Sequence, residues 1–217
     1  MTIEVIVLAA GHGTRMASSC PKVLHTLGGR SLLDHALNTA QALEPSHIHV
    51  VVGPENESLA EAQTRGTLIW HIQKERLGTG HAVELAMCAV HEPATVLVLY
   101  ADMPLVRVDT LRALCAQAQD NRVVMLTACL DVADGFGRII RDETGAVTGI
   151  VEEADATVKQ RAIREVNTGI LVAPARRLGQ WLAGVGNGNQ QAERYLTDVV
   201  AMAVADEVDV VAHAVAD

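Results

Sequence analysis

The run Val5-Ile6-Val7-Leu8-Ala9-Ala10, closing on Gly11-His12-Gly13-Thr14-Arg15-Met16, constrains this chain more than any other stretch. A continuous apolar segment rich in β-branched residues shows no polar face to water. It reads as a strand buried on both sides, as in a parallel sheet. Past Ala10 the side chains shrink, and Gly11 and Gly13 accept backbone angles that other residues resist. Consecutive amides in such a turn form a concave nest for phosphate oxygens. Arg15, within the loop, and Lys22, in the Pro21-Lys22-Val23-Leu24 segment beyond it, bring two cations to the same mouth. Close approach and positive charge suit a triphosphate. Two better-known phosphate loops do not match. Met16 stands where a dinucleotide fingerprint wants its third glycine, and no Gly-Lys-Ser/Thr ending follows Gly13.

Strands and helices then alternate. Ser31 caps a helix whose apolar residues Leu32, Leu33, Ala36, Leu37, Ala40 and Leu43 keep helical spacing before Pro45. Residues 48–52 read as a strand stopped by Gly53-Pro54, 59–65 as a polar helix and 68–72 as the next strand. Gly78-Thr79-Gly80 opens a helix through residue 90, and 96–100 is the clearest central strand, ending at Ala101-Asp102. A helix follows over 108–119, capped by Asp109, and then a strand over 123–130. Residues 137–141 and 147–152, joined by Asp142-Glu143-Thr144-Gly145, read as a hairpin forming a lid or substrate wall. Strand character returns over 166–172, a mobile Gly/Asn-rich loop spans 184–190, and a helix near 195–205 precedes a strand over 208–215. The expectation is an α/β fold: a doubly wound, mainly parallel, Rossmann-like sheet with an inserted β-hairpin. It is expected as one domain over 1–217.

Composition narrows the partners. Aromatics at 2% leave few platforms for stacking single-stranded bases, and a net charge of −9 opposes a nonspecific nucleic-acid surface. Any phosphate site must therefore be local. Cys20, Cys88, Cys115 and Cys129 show no C-x-x-C spacing and read as free thiols of a reducing compartment. No apolar run reaches membrane-spanning length and the chain opens on a strand, so a cytoplasmic protein is expected. Of nine histidines, His47 and His49 share a strand face, but no third ligand is near in sequence. Surface or core histidines are the reading, rather than a metal site.

Ligands of an open parallel sheet sit beyond the carboxyl ends of its strands. The Gly11 loop, Gln73 and Asp102 all fall there. Asp102 fits either a turn-former or a hard oxygen ligand for Mg²⁺. Gln73 also reads as an ordinary strand-end polar residue. Glu152, ending a hairpin strand, suits vicinal sugar hydroxyls or simple solvation, and Asn167 suits a turn as well as a ligand.

The motifs L-A-A-G-x-G-T-R-M, P-K-V-L-H-T-L-G-G, L-G-T-G-H-A, Y-A-D-M-P-L, G-F-G-R-I, G-I-V-E-E and V-N-T-G-I occur in one order across nearly the whole chain. In this the chain resembles the sugar-1-phosphate nucleotidyltransferases. Within them it is similar to the uridylyltransferase domain of bacterial bifunctional N-acetylglucosamine-1-phosphate uridylyltransferase/glucosamine-1-phosphate acetyltransferases. The resemblance implies that UTP and N-acetylglucosamine 1-phosphate become UDP-N-acetylglucosamine and pyrophosphate. It places Leu8, Ala10, Gly11 and Gly13 around the nucleotide, with Tyr100 and Ala101 beside them. Gln73 and Gly78 would read the uracil edge, with Thr79 alongside. Lys22 and Arg15 would contact the transferring phosphates, and Asp102 would ligate Mg²⁺. Gly137, Glu152, Asn167 and Thr197 would hold the sugar, making 1–120 the nucleotide-binding half and 121–217 the sugar-binding half of one nucleotidyltransferase-type domain. Ala101 departs from an expected glycine, so its methyl either crowds the nucleotide or faces away. The family's second metal ligand, an asparagine, is expected beyond Asp217, which implies a metal bound mainly with the nucleotide. No hexapeptide repeats of the acetyltransferase β-helix are present, so neither acetyl transfer nor the trimer that this half drives is expected.

Overall fold

The apolar runs become strands and the periodic segments become helices, in the anticipated order. The chain begins with β1 (Ile3–Ala9), a 3-10 turn (Lys22–Leu24), a short antiparallel pair β2 (Thr26–Leu27) and β3 (Arg30–Ser31), and α1 (Leu32–Gln41). Next come β4 (His47–Val52), a 3-10 turn (Pro54–Asn56), α2 (Glu57–Ala62), β5 (Leu68–Ile72), α3 (Thr79–Met87), β6 (Thr95–Tyr100) and α4 (Val108–Gln117). The second half holds β7 (Val123–Cys129), β8 (Arg138–Arg141), β9 (Val147–Val151), α5 (Val158–Arg161) and β10 (Glu165–Pro174). It closes with α6 (Ala175–Gly184), α7 (Asp198–Ala205) and β11 (Val210–Ala214). This computed structural model describes residues 2–11, 13, 18, 20–62, 67–118 and 121–215.

The main sheet runs β11-β7-β10-β6-β1-β4-β5, with β8 and β9 attached through β10. β1 pairs in parallel with β4 and β6, β4 with β5, and β7 with β11. Only β10 on this path is reversed, antiparallel to both β6 and β7. The chain moves outward from β1 through β4 to β5, then returns to lay β6 on the other side of β1. The carboxyl ends of β1 and β6 therefore flank the point where the winding changes direction, where such sheets open a crevice.

Alternation along each strand sorts the core into two layers. Val5, Val7 and Ala9 pack with Leu33 and Ala36 of α1 and with Leu111 and Leu114 of α4. Ile6, Leu8 and Ala10 meet Val83 of α3, Leu178 and Trp181 of α6, and Val199 of α7 on the opposite face. Burying a leucine-sized side chain stabilises by about 1.5–3 kcal/mol, so the strands of the first sequence motif are held from both sides.

Several details depart from the sequence expectations. α6, with Leu178, Trp181 and Leu182 buried at helical spacing, occupies a segment that the pattern left unassigned. Asp109 does not cap α4. The cap position is Arg107, in an extended conformation without a side-chain bond, which leaves Asp109 in the first turn beside Arg112. α3 and α4 end earlier than expected and α7 starts at Asp198, because the turns before it follow other partners. Ser31 does cap α1, its hydroxyl accepting the Asp34 amide at 3.0 Å. The β8–β9 hairpin is a wall and not a free flap: Val166 of β10 pairs with Arg138. Buried Arg138 also reaches Glu153 at 2.7 Å and donates to the Ile163 carbonyl at 3.1 Å. Cys20, Cys88, Cys115 and Cys129 are all free thiols. Burial pushes the Cys115 thiol up to about 11.

His49 is a core histidine and His91 a surface one, within the range of the sequence reading, but their partners come from distant parts of the chain. Sequence neighbours offered no third ligand for His47 and His49, yet register places Glu4 directly across from His47. The loop after α3 brings His91 to the same carboxylate, with its Nδ1 3.7 Å from Glu4 Oε1. Glu4 and His49 are both fully buried. His49 Nε2 lies 3.0 Å from Glu4 Oε2, and its Nδ1 lies 3.1 Å from His71 Nε2. Burial pushes the His49 imidazole below its ordinary range against the pull of Glu4, and pushes His71 down to about 4. A neutral His49 facing a carboxylate must donate through Nε2, so its Nδ1 accepts from His71.

Candidate active site

The carboxyl end of β1 releases into the loop through Gly11 and Gly13. Arg15, Thr14 and Met16 lie outside the described residues, so the Arg15 expectation has no structural counterpart. Gly13 has φ +61°, and a side chain there would start 2.6 Å from Lys22 Cβ. Gly13 is thus packed onto the stem of Lys22, and a glycine is required there by that contact as well as by its backbone angle. The 3-10 turn that begins at Lys22 keeps the ammonium over the β1–β6 crevice. There it donates to Asp102 Oδ2, just past the end of β6. About a third of each side chain remains exposed (32% and 34%), so both stay reachable from solvent.

The neighbouring strand ends complete the mouth. Gln73 follows β5, is buried, and donates through Nε2 to the Gly78 carbonyl and to His81 Nδ1, each at 3.1 Å. Those two acceptors fix which end of the amide is nitrogen. Gly78 has φ +107°, and a side chain on it would lie 2.5 Å from the Arg194 carbonyl. The Gly80 amide donates to that carbonyl at 2.8 Å, which ties the start of α3 to the segment before α7. Leu8 and Ala10 are buried in the α3-facing layer, and the Leu8 carbonyl accepts the Ala101 amide at 3.0 Å. Ala101 belongs to the opposite layer, fully buried with Leu99 and Leu111, and is not among the positive-φ residues. Its methyl packs in the core layer opposite to Leu8 and Ala10, as the facing-away alternative requires.

Tyr100 links this mouth to the second half. Its hydroxyl meets the side chain of Thr79, and burial, followed by the charge of Glu152, pushes the phenol above its ordinary range. Its ring also leaves room only for glycine at Gly169, where φ is +92° and a Cβ would fall 2.5 Å from Cε2. From Gly169 the contacts run onward. Its amide donates to Asn167 Oδ1 at 3.0 Å, and the Asn167 amide donates to the Gly137 carbonyl at 2.8 Å. Gly137 in turn backs onto Glu152, with Oε2 3.2 Å from where a Cβ would stand. Thr197 Oγ1 donates to Glu152 Oε1 at 2.8 Å. Thr197 occupies the cap position of α7 without capping it, so its hydroxyl serves Glu152 at the expense of the helix end. Asn167 reaches this edge because β10 runs backwards. It lies within β10 rather than in a turn before it, and its side-chain oxygen accepts the Gly169 amide at the break in register between Asn167 and Leu171.

Beside this cluster lies a cavity of about 310 Å³, with Glu152, Asp155, Asn189, Tyr195 and Asp198 in its wall. Burial holds the Glu152 carboxyl above its ordinary range, and the charges of Asp198, Asp155 and Glu193 add to this against the opposing Thr197 bond. Burial and Asp155 raise Asp198 likewise. Burial first, then Asp155, pushes the Tyr195 phenol up to about 12.

Sequence reasoning missed two arginines. Arg76 Nε donates to the Ala10 carbonyl at 2.8 Å while its Nη2 pairs with Glu55, bracing the strand end that feeds the glycine loop. Arg194 pairs with Glu84 of α3 and donates to the Val185 carbonyl at 3.1 Å. Tight glycines at 78 and 80 were the available signal for Arg194, since only an approaching backbone needs them.

A Rossmann-like sheet with a glycine loop, a lysine and an aspartate gathered at its switch point defines a nucleotide-handling transferase. The model of the MobA-like NTP transferase domain matches residues 5–137, and the chain belongs to that family. The bifunctional protein GlmU of Alkalilimnicola ehrlichii is 53% identical over 215 residues, which take in 99% of this chain and 46% of that protein. GlmU of Pseudomonas putida (strain F1) is 50% identical over 206 residues, 95% of this chain and 45% of the relative. The chain spans about half the length of the curated relatives it matches. A UDP-glucose pyrophosphorylase solved with UDP-glucose shares the fold at a TM-score of 0.79 and 17% identity, over 99% of this chain and 90% of that one. Among the described residues no helix is long and apolar enough to cross a membrane.

Transferases of this class ordinarily use a divalent metal. The donor set at Asp102 fits one: a partly exposed carboxylate, with the Lys22 ammonium showing that this oxygen receives a cation.

Proposed function

We propose that this chain transfers the uridylyl group of UTP to N-acetylglucosamine 1-phosphate, releasing pyrophosphate and UDP-N-acetylglucosamine. The observation that carries this is the Lys22–Asp102 pair, fixed over the switch point by the Gly13 loop, in a chain half identical to the GlmU proteins along nearly its whole length. A phosphate monoester has its second pKa near ~6, so the attacking oxygen is already largely ionised at neutral pH. No general base is needed. Catalysis then consists of aligning the attacker, the α-phosphorus and the leaving pyrophosphate, and of screening their charge.

Lys22 is assigned to the α-phosphate, which requires its ammonium to swing from Asp102 onto the nucleotide. Arg15 is assigned to the leaving pyrophosphate. Asp102, freed of Lys22, would hold Mg²⁺, which supplies charge neutralisation to the phosphate oxygens. Gln73 and Gly78 are assigned to the base, with Leu8, Ala10, Gly11 and Thr79 lining its pocket. Tyr100 and the backbone of Ala101 separate this pocket from the sugar side. Glu152, Thr197, Asn167 and Gly137 are assigned to the sugar. Neutral hydroxyls suit a wall whose carboxylates already repel one another, because a hydroxyl donates to such an oxygen without adding charge. Each transfer releases one pyrophosphate, so the assay is pyrophosphate release with Mg²⁺, pairing UTP, CTP, GTP and dTTP with several sugar 1-phosphates. The fastest turnover should come from UTP with N-acetylglucosamine 1-phosphate. Faster turnover of another pair would reassign the substrate within the class, and nucleotide-sugar binding without pyrophosphate release would make the chain a binding domain.

A further inference from the structure

We propose that Glu4, His47 and His91 form a binding site for a divalent transition-metal ion of the zinc class, at the opposite edge of the sheet from the nucleotide mouth. Glu4 lies near the start of β1 and Ala10 beyond its end, so about 20 Å of strand separates the two sites at ~3.3 Å per residue. Among the described residues this is the group whose ligand atoms converge, all within 4.8 Å of one another. Both imidazoles aim Nδ1 at a single oxygen. His47 Nδ1 is 3.2 Å and His91 Nδ1 is 3.7 Å from Glu4 Oε1. The longer distance exceeds a hydrogen bond. A tetrahedral ion about 2.0–2.1 Å from each donor sets its ligand atoms about 3.3–3.4 Å apart, and the two separations bracket that value.

The surroundings also suit an ion. Glu4 is fully buried in an otherwise apolar strand, where an ionised carboxylate is costly without a compensating charge. The bond from His49 to Oε2 orients the carboxylate and leaves Oε1 facing His47 and His91. Such a bond on the far oxygen is the usual support of a ligating carboxylate. His47 and His91 retain 35% and 71% side-chain exposure, so an ion can enter and keep water on its open side. Two imidazoles and one carboxylate favour zinc, cobalt or nickel over magnesium, which separates this site chemically from Asp102.

The test is titration of the tag-free chain with Co²⁺, followed by its visible absorption, and then competition with Zn²⁺. We expect one Co²⁺ per chain in a tetrahedral nitrogen–oxygen spectrum, displaced by Zn²⁺. His91→Ala removes an exposed side chain and leaves the fold intact. It should weaken binding by more than about a hundredfold, since losing even supporting groups outside the coordination shell costs 10–100-fold. Asp102→Asn should leave the spectrum unchanged. Equal Co²⁺ binding by His91→Ala would overturn the site. So would a thiolate-to-cobalt charge-transfer band, which would place the ion on cysteine, or binding seen only at millimolar metal.

Discussion

The two walls of the cleft are built from the same sheet but handle charge in opposite ways. On the nucleotide side, backbone and cations dominate: Gly13 packs on Lys22, and the Lys22 ammonium sits on Asp102. On the hairpin side, Glu152, Asp155 and Asp198 crowd one small cavity, and two of them are held above their ordinary carboxyl range. The first wall lowers the free energy of an incoming polyanion. The second disfavours further negative charge and offers acceptors to neutral donors. On the proposed function, a sugar phosphate carries both characters in one molecule, and the two walls would orient it before any bond changes.

The comparison breaks most sharply at Lys22. Lys22→Ala should reduce turnover by about a hundredfold, the usual effect of losing one transition-state electrostatic contact worth ~3 kcal/mol. Its effect on unfolding should be small, because a pair this exposed contributes little to stability. Steady-state pyrophosphate release and urea unfolding of the same preparation test both halves, and near-normal turnover would take Lys22 out of the mechanism.

On the opposite wall, Glu152→Gln should raise the KM for the sugar phosphate by tenfold or more and leave that for UTP unchanged. A hydrogen bond to a charged group is worth about 1.5–3 kcal/mol, and the variant loses only the charge. Stability should move the other way. Glu152 is raised in the folded state, so its favourable contribution is complete below the unfolded value and is lost as pH rises through the folded one. Glu165 is its counterpart. Hydrogen bonds from Arg141 at 2.7 and 2.8 Å hold it below its ordinary range, so its contribution is present above the unfolded value and fades as pH falls. Melting temperatures of Glu152→Gln and Glu165→Gln relative to the parent chain should therefore diverge at neutral pH, the first higher and the second lower. They should converge as the pH drops below about 4. Parallel curves would mean that neither carboxyl is perturbed as described.

The smallest effect is expected at Ala101. With its methyl in the far core layer and φ negative, Ala101→Gly should lower stability by about 0.4–1 kcal/mol and leave UTP affinity unchanged in calorimetric titration. Tighter UTP binding would return the methyl to the nucleotide pocket.

How much was legible follows from how local each signal is. The β1 run, the strand at β6 and the Asp142 turn carry their patterns within a few residues, and each formed where its pattern lay. α6 escaped notice because Gly179 weakens a helical pattern that tertiary burial of Leu178 and Trp181 completes. The direction of β10 has no signature in its own residues, since a strand buried on both faces reads the same either way. The Tyr100 relay and the Arg194 brace join residues brought together only by folding, as in the Thr79–Leu196 bond across 117 positions. The Glu4 cluster is the clearest case. A charged residue inside an apolar strand was visible, but its partners are set by strand register and by a loop far along the chain.

The reversed strand also governs the order in which the sheet is completed. β6 and β7 are consecutive strands on the main path, yet they never pair, because β10 lies between them. Until residues 165–174 have been synthesised, β6 presents a bare edge, and β7 and the β8–β9 hairpin lack the strand that joins each of them to it. The centre of the sheet is therefore closed by wedging a later segment between two earlier ones, with β11 still to be added on the far side of β7. Non-local closure of this kind is slow, and the exposed edge is a template for pairing with another chain. During synthesis, that edge is where a chaperone would do most to prevent aggregation.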